Sequence, residues 1–117
     1  MIEADHSFTI GALREGYRAG RFVPADVVAL ALQRIDADPA RNVWISYSTR
    51  QSLDALLRRL ADFHPDDLPL YGVPFAIKDN IDLEGVATTV ACPAFAYTPD
   101  RSATVVEKLA AAAAIPI

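Results

Sequence analysis

Among its 117 residues the sequence has a single cysteine, Cys92, and two histidines, His6 and His64. One thiol cannot close an intramolecular disulfide, and so sparse a set of ligands does not make a structural metal site. No metal is implied. The five glycines are scattered, which excludes a Gly-rich phosphate loop. Lys and Arg number 11 against 15 Asp and Glu, a net charge of -4. That balance argues against nucleic acid or an anionic membrane as the main partner, since both need clustered basic residues. No apolar run approaches the length of a membrane span. The N-terminus, Met1 to Ser7, has neither a basic nor an apolar leader region, so a cytoplasmic location is the expectation.

What is present is ordinary for a folded protein: 52% hydrophobic and 22% charged residues, in a length that supports one core. Ile10, Leu13 and Tyr17 recur at helical spacing behind Thr9, an N-cap residue, and the pattern stops at Gly20. Pro24 suits a first helical position, and Val28, Ala31, Leu32 and Ile35 trace a second helix that ends at Asp38-Pro39. The β-branched and aromatic segment Asn42 to Tyr47 predicts a short strand, with Trp44 in the core. Ser48 and Gln51 have capping-box spacing, and Leu53, Leu56, Leu57 and Leu60 predict a third helix to about Phe63. After the turn residues His64 to Asp67, Tyr71 to Ile77 reads as a buried strand, with Pro74 near its start or at an edge. Asp79 to Asp100 lacks a regular period and is a long loop, of a length that is usually functional or disordered. Ser102 is the expected cap of a fourth helix through Val105, Val106 and Leu109, followed by a strand at Ile115 to Ile117. Strand, loop, helix and strand make a βαβ unit with parallel pairing.

Lys78 ends the apolar strand and is followed by Asp79, Asp82 and Glu84. The ordinary reading of such a lysine is a solvated ion pair. Alternation places Val73, Phe75 and Ile77 on one face of the strand and Ala76 and Lys78 on the other, so a small side chain leaves room beside the amine. A lysine ordinarily titrates near about 10.4, so service as a base requires desolvation or a neighbouring cation. Asn80, Asp82, Glu84 and Gly85 imitate the opening of a calcium loop, but its twelfth position is Ala91 where a bidentate Glu is required. Cys92 lacks a histidine in any motif that would activate it and reads as a small, at least half-buried thiol. His64 reads as a turn residue.

The run Leu70-Tyr71-Gly72-Val73-Pro74-Phe75-Ala76-Ile77-Lys78-Asp79-Asn80-Ile81-Asp82 resembles the start of the amidase-signature core. Thr88-Thr89, Cys92-Pro93-Ala94, Tyr97-Thr98-Pro99 and the upstream Asn42-Val43-Trp44-Ile45 are similar to the allophanate hydrolase branch of that family. The resemblance implies an α/β fold, the N-terminal part of the amidase-signature architecture, with helices packed on an incomplete mixed sheet. Residues 1–67 are then an N-terminal helical region and residues 68–117 the start of the catalytic core. It also implies a Ser–cis-Ser–Lys triad in which Lys78 is the lysine and the substrate a small amide, here allophanate, hydrolysed to ammonia and carbon dioxide without metal or organic cofactor. In that chemistry a neutral lysine accepts a proton through the bridging serine while the second serine attacks the amide carbon and backbone N–H groups hold the oxyanion.

Both triad serines belong to Gly- and Ser-rich segments that the family carries downstream of Ile117; Ser7, Ser46, Ser48, Ser52 and Ser102 do not match them. The expectation is an N-terminal fragment that is inactive alone, and a homodimer is the partner expectation for the complete enzyme. The alternatives are a non-catalytic helical dimerisation module, or a glutamyl-tRNA amidotransferase A-type subunit, which shares the Gly-Val-Pro and Lys-Asp core. Where relatives carry a helix-ending glycine this chain has Ala113, and a left-handed cap there would cost about 1 kcal/mol.

Overall fold

The computed structural model describes residues 1–117. Thr9 is extended and its Oγ1 accepts the Ala12 N–H at 3.3 Å, which starts helix α1 (Ile10–Arg18). Leu13 and Tyr17 are its buried face, and Gly20, at φ +64°, turns the chain back. Helix α2 (Pro24–Ala37) opens on a proline whose missing N–H costs nothing there, and the Asp26 carboxylate accepts the Val23 N–H at 3.0 Å. Further along α2, Arg34 fixes the N-terminal arm by donating to the carbonyls of Ala4 and His6 at 2.8 and 2.7 Å while lying over the Phe8 ring.

Helix α3 (Arg50–Leu60) is capped one residue later than the sequence suggests. The Ser48 hydroxyl donates to the Pro116 carbonyl at 3.2 Å, so Thr49 is the N-cap and exchanges hydrogen bonds with Ser52 at 3.1 and 3.0 Å. The helix also stops at Leu60 rather than Phe63, because the Asp62 and Phe63 N–H groups fall back on carbonyls three residues earlier.

The expected strand at Asn42–Tyr47 does not form. Residues 43–47 make no backbone-to-backbone hydrogen bond, so no strand pairs with them, and Trp44 is only half-buried against Tyr47 instead of in the core. β propensity without a partner leaves extended coil.

The sheet consists of β1 (Pro74–Phe75) and β2 (Ile115–Pro116), joined in parallel through helix α4 (Thr104–Ala111) as the βαβ reading requires. Flanking bonds lengthen the ladder: Gly72 N–H to Ala113 O, Ile115 N–H to Val73 O, and Ile117 N–H to Phe75 O. Nothing pairs with Ala76 and Ile77, so the strand expected over Tyr71–Ile77 is regular only at its centre. Ser102 does not cap α4; its Oγ accepts the Glu84 N–H at 2.9 Å, and Ala103 occupies the cap position without a side-chain bond. Ala113 sits at φ +69° in a Schellman arrangement, with Ala114 N–H on Leu109 O and Ala113 N–H on Ala110 O.

One apolar cluster binds these pieces. Leu13, Val27, Val28, Leu53, Leu57 and Leu60 from the three N-terminal helices meet Tyr71, Val73 and Ile115 from the sheet, and Leu13, Val27, Val28 and Ile115 have no exposed surface. At about 1.5–3 kcal/mol for each fully buried aliphatic side chain, this seam holds helices and sheet together. The result is an α/β unit with helices on a two-strand, incomplete sheet. No helix is long and apolar enough to cross a membrane.

Candidate functional site

The site begins where β1 runs out. Val73 is buried and Ile77 half-buried, while Ala76 and Lys78 are exposed on the opposite side. Lys78 therefore stands at the wall of a cavity of about 640 Å³, which Trp44, Tyr47, Ser48, Val90 and Ile117 also line. The coil at 43–47 faces this cavity and supplies one wall.

The solvated ion pair expected of Lys78 is absent. No carboxylate lies within 4.0 Å of its amine, although Asp79 is the next residue. The reason is the direction Asp79 takes. Its Oδ1 accepts the Thr89 N–H at 3.0 Å, its Oδ2 accepts the Thr89 hydroxyl and the Ala91 N–H, and its carbonyl accepts the Val90 N–H at 2.9 Å. Val90 and Ala91 are both left-handed, at φ +53° and +55°, and this turns successive N–H groups toward one anion. The Thr89 hydroxyl, then the Thr89 and Ala91 N–H groups, hold the Asp79 carboxyl below the usual range.

A second carboxylate organises the far side of the loop. Asp82 Oδ1 accepts hydroxyl protons from Tyr97 and from buried Thr88, each at 2.7 Å. These two donors lower the Asp82 pKa, and the Tyr97 bond raises that of the Tyr97 phenol. Thr88 and Tyr97 also form a two-way backbone bridge at 2.9 and 3.1 Å, and Asp82 O receives the Ala103 N–H. The long loop is thus an ordered platform clipped to the N-terminus of α4. Its two carboxylates were legible in the sequence, but their threonine and tyrosine partners, six to fifteen residues away, were not.

The remaining candidates separate clearly. Cys92 is exposed rather than buried, because it lies on the outer side of the loop before a short 3₁₀ turn at Pro93–Phe95. His64 is a turn residue, its Nδ1 accepting the Asp66 N–H. Ser48 and Ser52 line the cavity, yet their hydroxyls donate to the carbonyls of Pro116 and Thr49, and neither is bonded to Lys78. What the arrangement offers is a primary amine without a counter-ion on an apolar cavity wall.

Residues 26–117, a span that includes the whole loop and Lys78, match the sequence model of the Amidase family. The chain belongs to the Amidase family. It is 47% identical over 78 residues to urea amidolyase of Saccharomyces cerevisiae, covering 66% of this chain and 4% of that protein. With the A-type subunit of glutamyl-tRNA(Gln) amidotransferase from Lacticaseibacillus paracasei it shares 35% identity over 111 residues, 93% of this chain and 23% of the relative. Among solved structures, Kluyveromyces lactis allophanate hydrolase superposes with a TM-score of 0.69 at 36% identity, over 85% of this chain and 17% of that one. This amidase chain thus spans between 4% and 23% of these two curated relatives.

Proposed function

We propose that this chain supplies the lysine-bearing part of an amide hydrolase, and that allophanate is the substrate of the complete enzyme. Lys78 is the base: uncharged, it takes a proton through a bridging serine while a second serine attacks the amide carbon. Proton return then releases the terminal nitrogen as ammonia, and water frees the acyl group as N-carboxycarbamate, which breaks down to carbon dioxide and a second ammonia. The carrying observation is that Lys78 faces a cavity with no carboxylate within 4.0 Å despite having Asp79 as its neighbour. A lysine paired with a carboxylate would be held in its charged form and could not accept the proton. The 36% identity to Kluyveromyces lactis allophanate hydrolase favours allophanate as the amide.

On this reading residues 1–67 form the helical scaffold and residues 68–117 carry the catalytic edge. The serines come from outside these residues, so the 117-residue chain alone does not turn over. A homodimer and a cytoplasmic location belong to the same proposal.

Ammonia release decides it. The complete protein should release ammonia from allophanate, and Lys78→Ala should lower kcat at least about 100-fold, the usual worth of a positioned general base. Unchanged turnover in that variant would overturn the role of Lys78. One observation favours a second reading, in which the chain is part of an amidotransferase: the relation to the A-type subunit of glutamyl-tRNA(Gln) amidotransferase extends over 93% of the chain. Ammonia release from glutamine but not from allophanate would establish that reading instead.

A further inference from the structure

Asp79 sits next to Lys78 in sequence, within the same cavity wall, yet spends its charge elsewhere. Three successive N–H groups, from Thr89, Val90 and Ala91, and the Thr89 hydroxyl all point at this one residue. The geometry is costly. Val90 at φ +53° is a β-branched residue in the left-handed region, and Ala91 follows it there at +55°. Such conformations persist only where their surroundings over-determine them. A surface aspartate that merely kept the loop soluble would need none of this.

We propose that Asp79 is a positioning residue for Lys78, acting by withholding its carboxylate from the lysine: the nest at 89–91 binds the charge and leaves the amine without a counter-ion. The inference rests on the proposed role of Lys78 as a base. Of the other ionisable side chains on the cavity wall there is only Tyr47, and its hydroxyl is occupied by the Asp36 carboxylate at 2.7 Å. Tyr47 is therefore held in its neutral form. Lys78 has only Asp79 as an anionic side-chain neighbour on that wall, and the nest removes it. The arrangement also explains an aspartate at this position in place of a neutral residue. Its carboxylate draws the Thr89 and Ala91 N–H groups and the Thr89 hydroxyl together, beside the Val90 N–H held by the backbone carbonyl, and this holds the loop segment 89–91 against the strand end that carries the lysine.

The chain contains two lysines, Lys78 and Lys108, so one can be read against the other. Trace acylation with acetic anhydride, followed by mass spectrometry, gives the ratio of labelling at Lys78 to labelling at Lys108. Two variants separate charge from structure. Asp79→Asn weakens the nest but brings no charge to the lysine; Asp79→Glu weakens it too, because the longer arm overshoots, and leaves a carboxylate beside the amine. The expected result is a ratio close to wild type in the Asn variant and about threefold lower in the Glu variant, as a screened adjacent carboxylate would give. Hydrogen exchange at the 89–91 amides should quicken in both. An equal fall of the ratio in both variants would mean that only loop order matters, and would overturn the proposal. So would a rise in the Asn variant, which would mean that Asp79 already pairs with Lys78, or no change in the Glu variant. Because no amide turnover is read, this outcome is independent of the ammonia assay that tests the function itself.

Discussion

The Tyr17 hydroxyl donates to the Gly72 carbonyl at 2.8 Å, joining helix α1 to the start of the strand that leads to Lys78 across 55 positions of sequence. Both residues are buried, and the Gly72 carbonyl has no other partner. Tyr17→Phe leaves that acceptor unsatisfied and should lower stability by about 1–3 kcal/mol in urea denaturation. Burial, then the charges of Tyr71 and Asp26, push the Tyr17 phenol well above the ordinary tyrosine range. The folded state therefore holds this proton more tightly than the unfolded state. Its contribution is whole below the ordinary pKa near about 10 and is lost as pH rises above it. Alkaline destabilisation should be flatter in Tyr17→Phe than in wild type, and identical slopes would count against the bond.

The same contact makes Gly72 irreplaceable. Its φ is +68°, and a Cβ there would lie 2.7 Å from the Tyr17 Oη and 2.8 Å from Cζ. Gly72→Ala should cost about 1 kcal/mol for the left-handed backbone and about 1–3 more for overpacking. Thermal denaturation of this variant should show a loss larger than that of Tyr17→Phe. Pairing Gly72→Ala with Tyr17→Phe should return part of it, since the smaller ring edge relieves the nearest contact.

Ala113 tests how two small terms compete. Relieving an alanine of a left-handed cap is worth about 1 kcal/mol, which alone would make Ala113→Gly stabilising. Its methyl, however, is packed in the core cluster with 3% of the residue exposed, and a buried carbon of that size is worth about 0.8 kcal/mol. The expected change is within about 0.5 kcal/mol of zero. A gain of a full kcal/mol in the unfolding free energy would show that the methyl contributes nothing.

Ala113 also illustrates what can be read before a structure exists. Its left-handed geometry was legible only through the family resemblance, which places a helix-ending glycine there, and its burial depends on Leu13 and Tyr71 arriving from elsewhere in the chain. The same division runs through the chain. Helices α1 and α2 were legible because Thr9, Gly20 and Pro24 act on their own neighbours. The Asn42–Tyr47 strand was misread because β structure needs a partner, which propensity does not report. The caps of α3 and α4 were each displaced by one residue when Ser48 and Ser102 were recruited to distant backbone groups. In the candidate site, the position of Lys78 was legible from alternation and family resemblance. The turning away of Asp79 was not, since it depends on Thr89 and Ala91.

Asp82 gives the acid side of the pH response. Because its folded pKa is depressed by the Tyr97 and Thr88 hydroxyls, its stabilisation is present above the ordinary aspartate range and is lost as pH falls through the lowered value. Asp79 behaves likewise through Thr89 and Ala91. Acidification should therefore loosen the 79–97 loop before the helical core. Carboxyl-detected NMR should show the Asp82 midpoint moving up toward the ordinary value in Tyr97→Phe and in Thr88→Val. The Asp79 midpoint should stay in place in Tyr97→Phe, because its donors come from different residues. Movement of both together would mean that the two carboxylates titrate as one unit.

The cavity wall itself carries a liability that can be measured. Val43 and Ile45 are 68% and 59% exposed, and they stand beside a sheet of two strands whose outer edges are unpaired. Exposed apolar surface next to open strand edges promotes self-association. The 117-residue chain should bind a hydrophobic dye and sediment with a concentration-dependent mass. Val43→Asn with Ile45→Thr should reduce both effects while leaving the unfolding transition within about 0.5 kcal/mol, since neither residue belongs to the core cluster. A wild-type chain that stays monomeric at high concentration and binds no dye would show that these exposed side chains and open edges do not drive self-association.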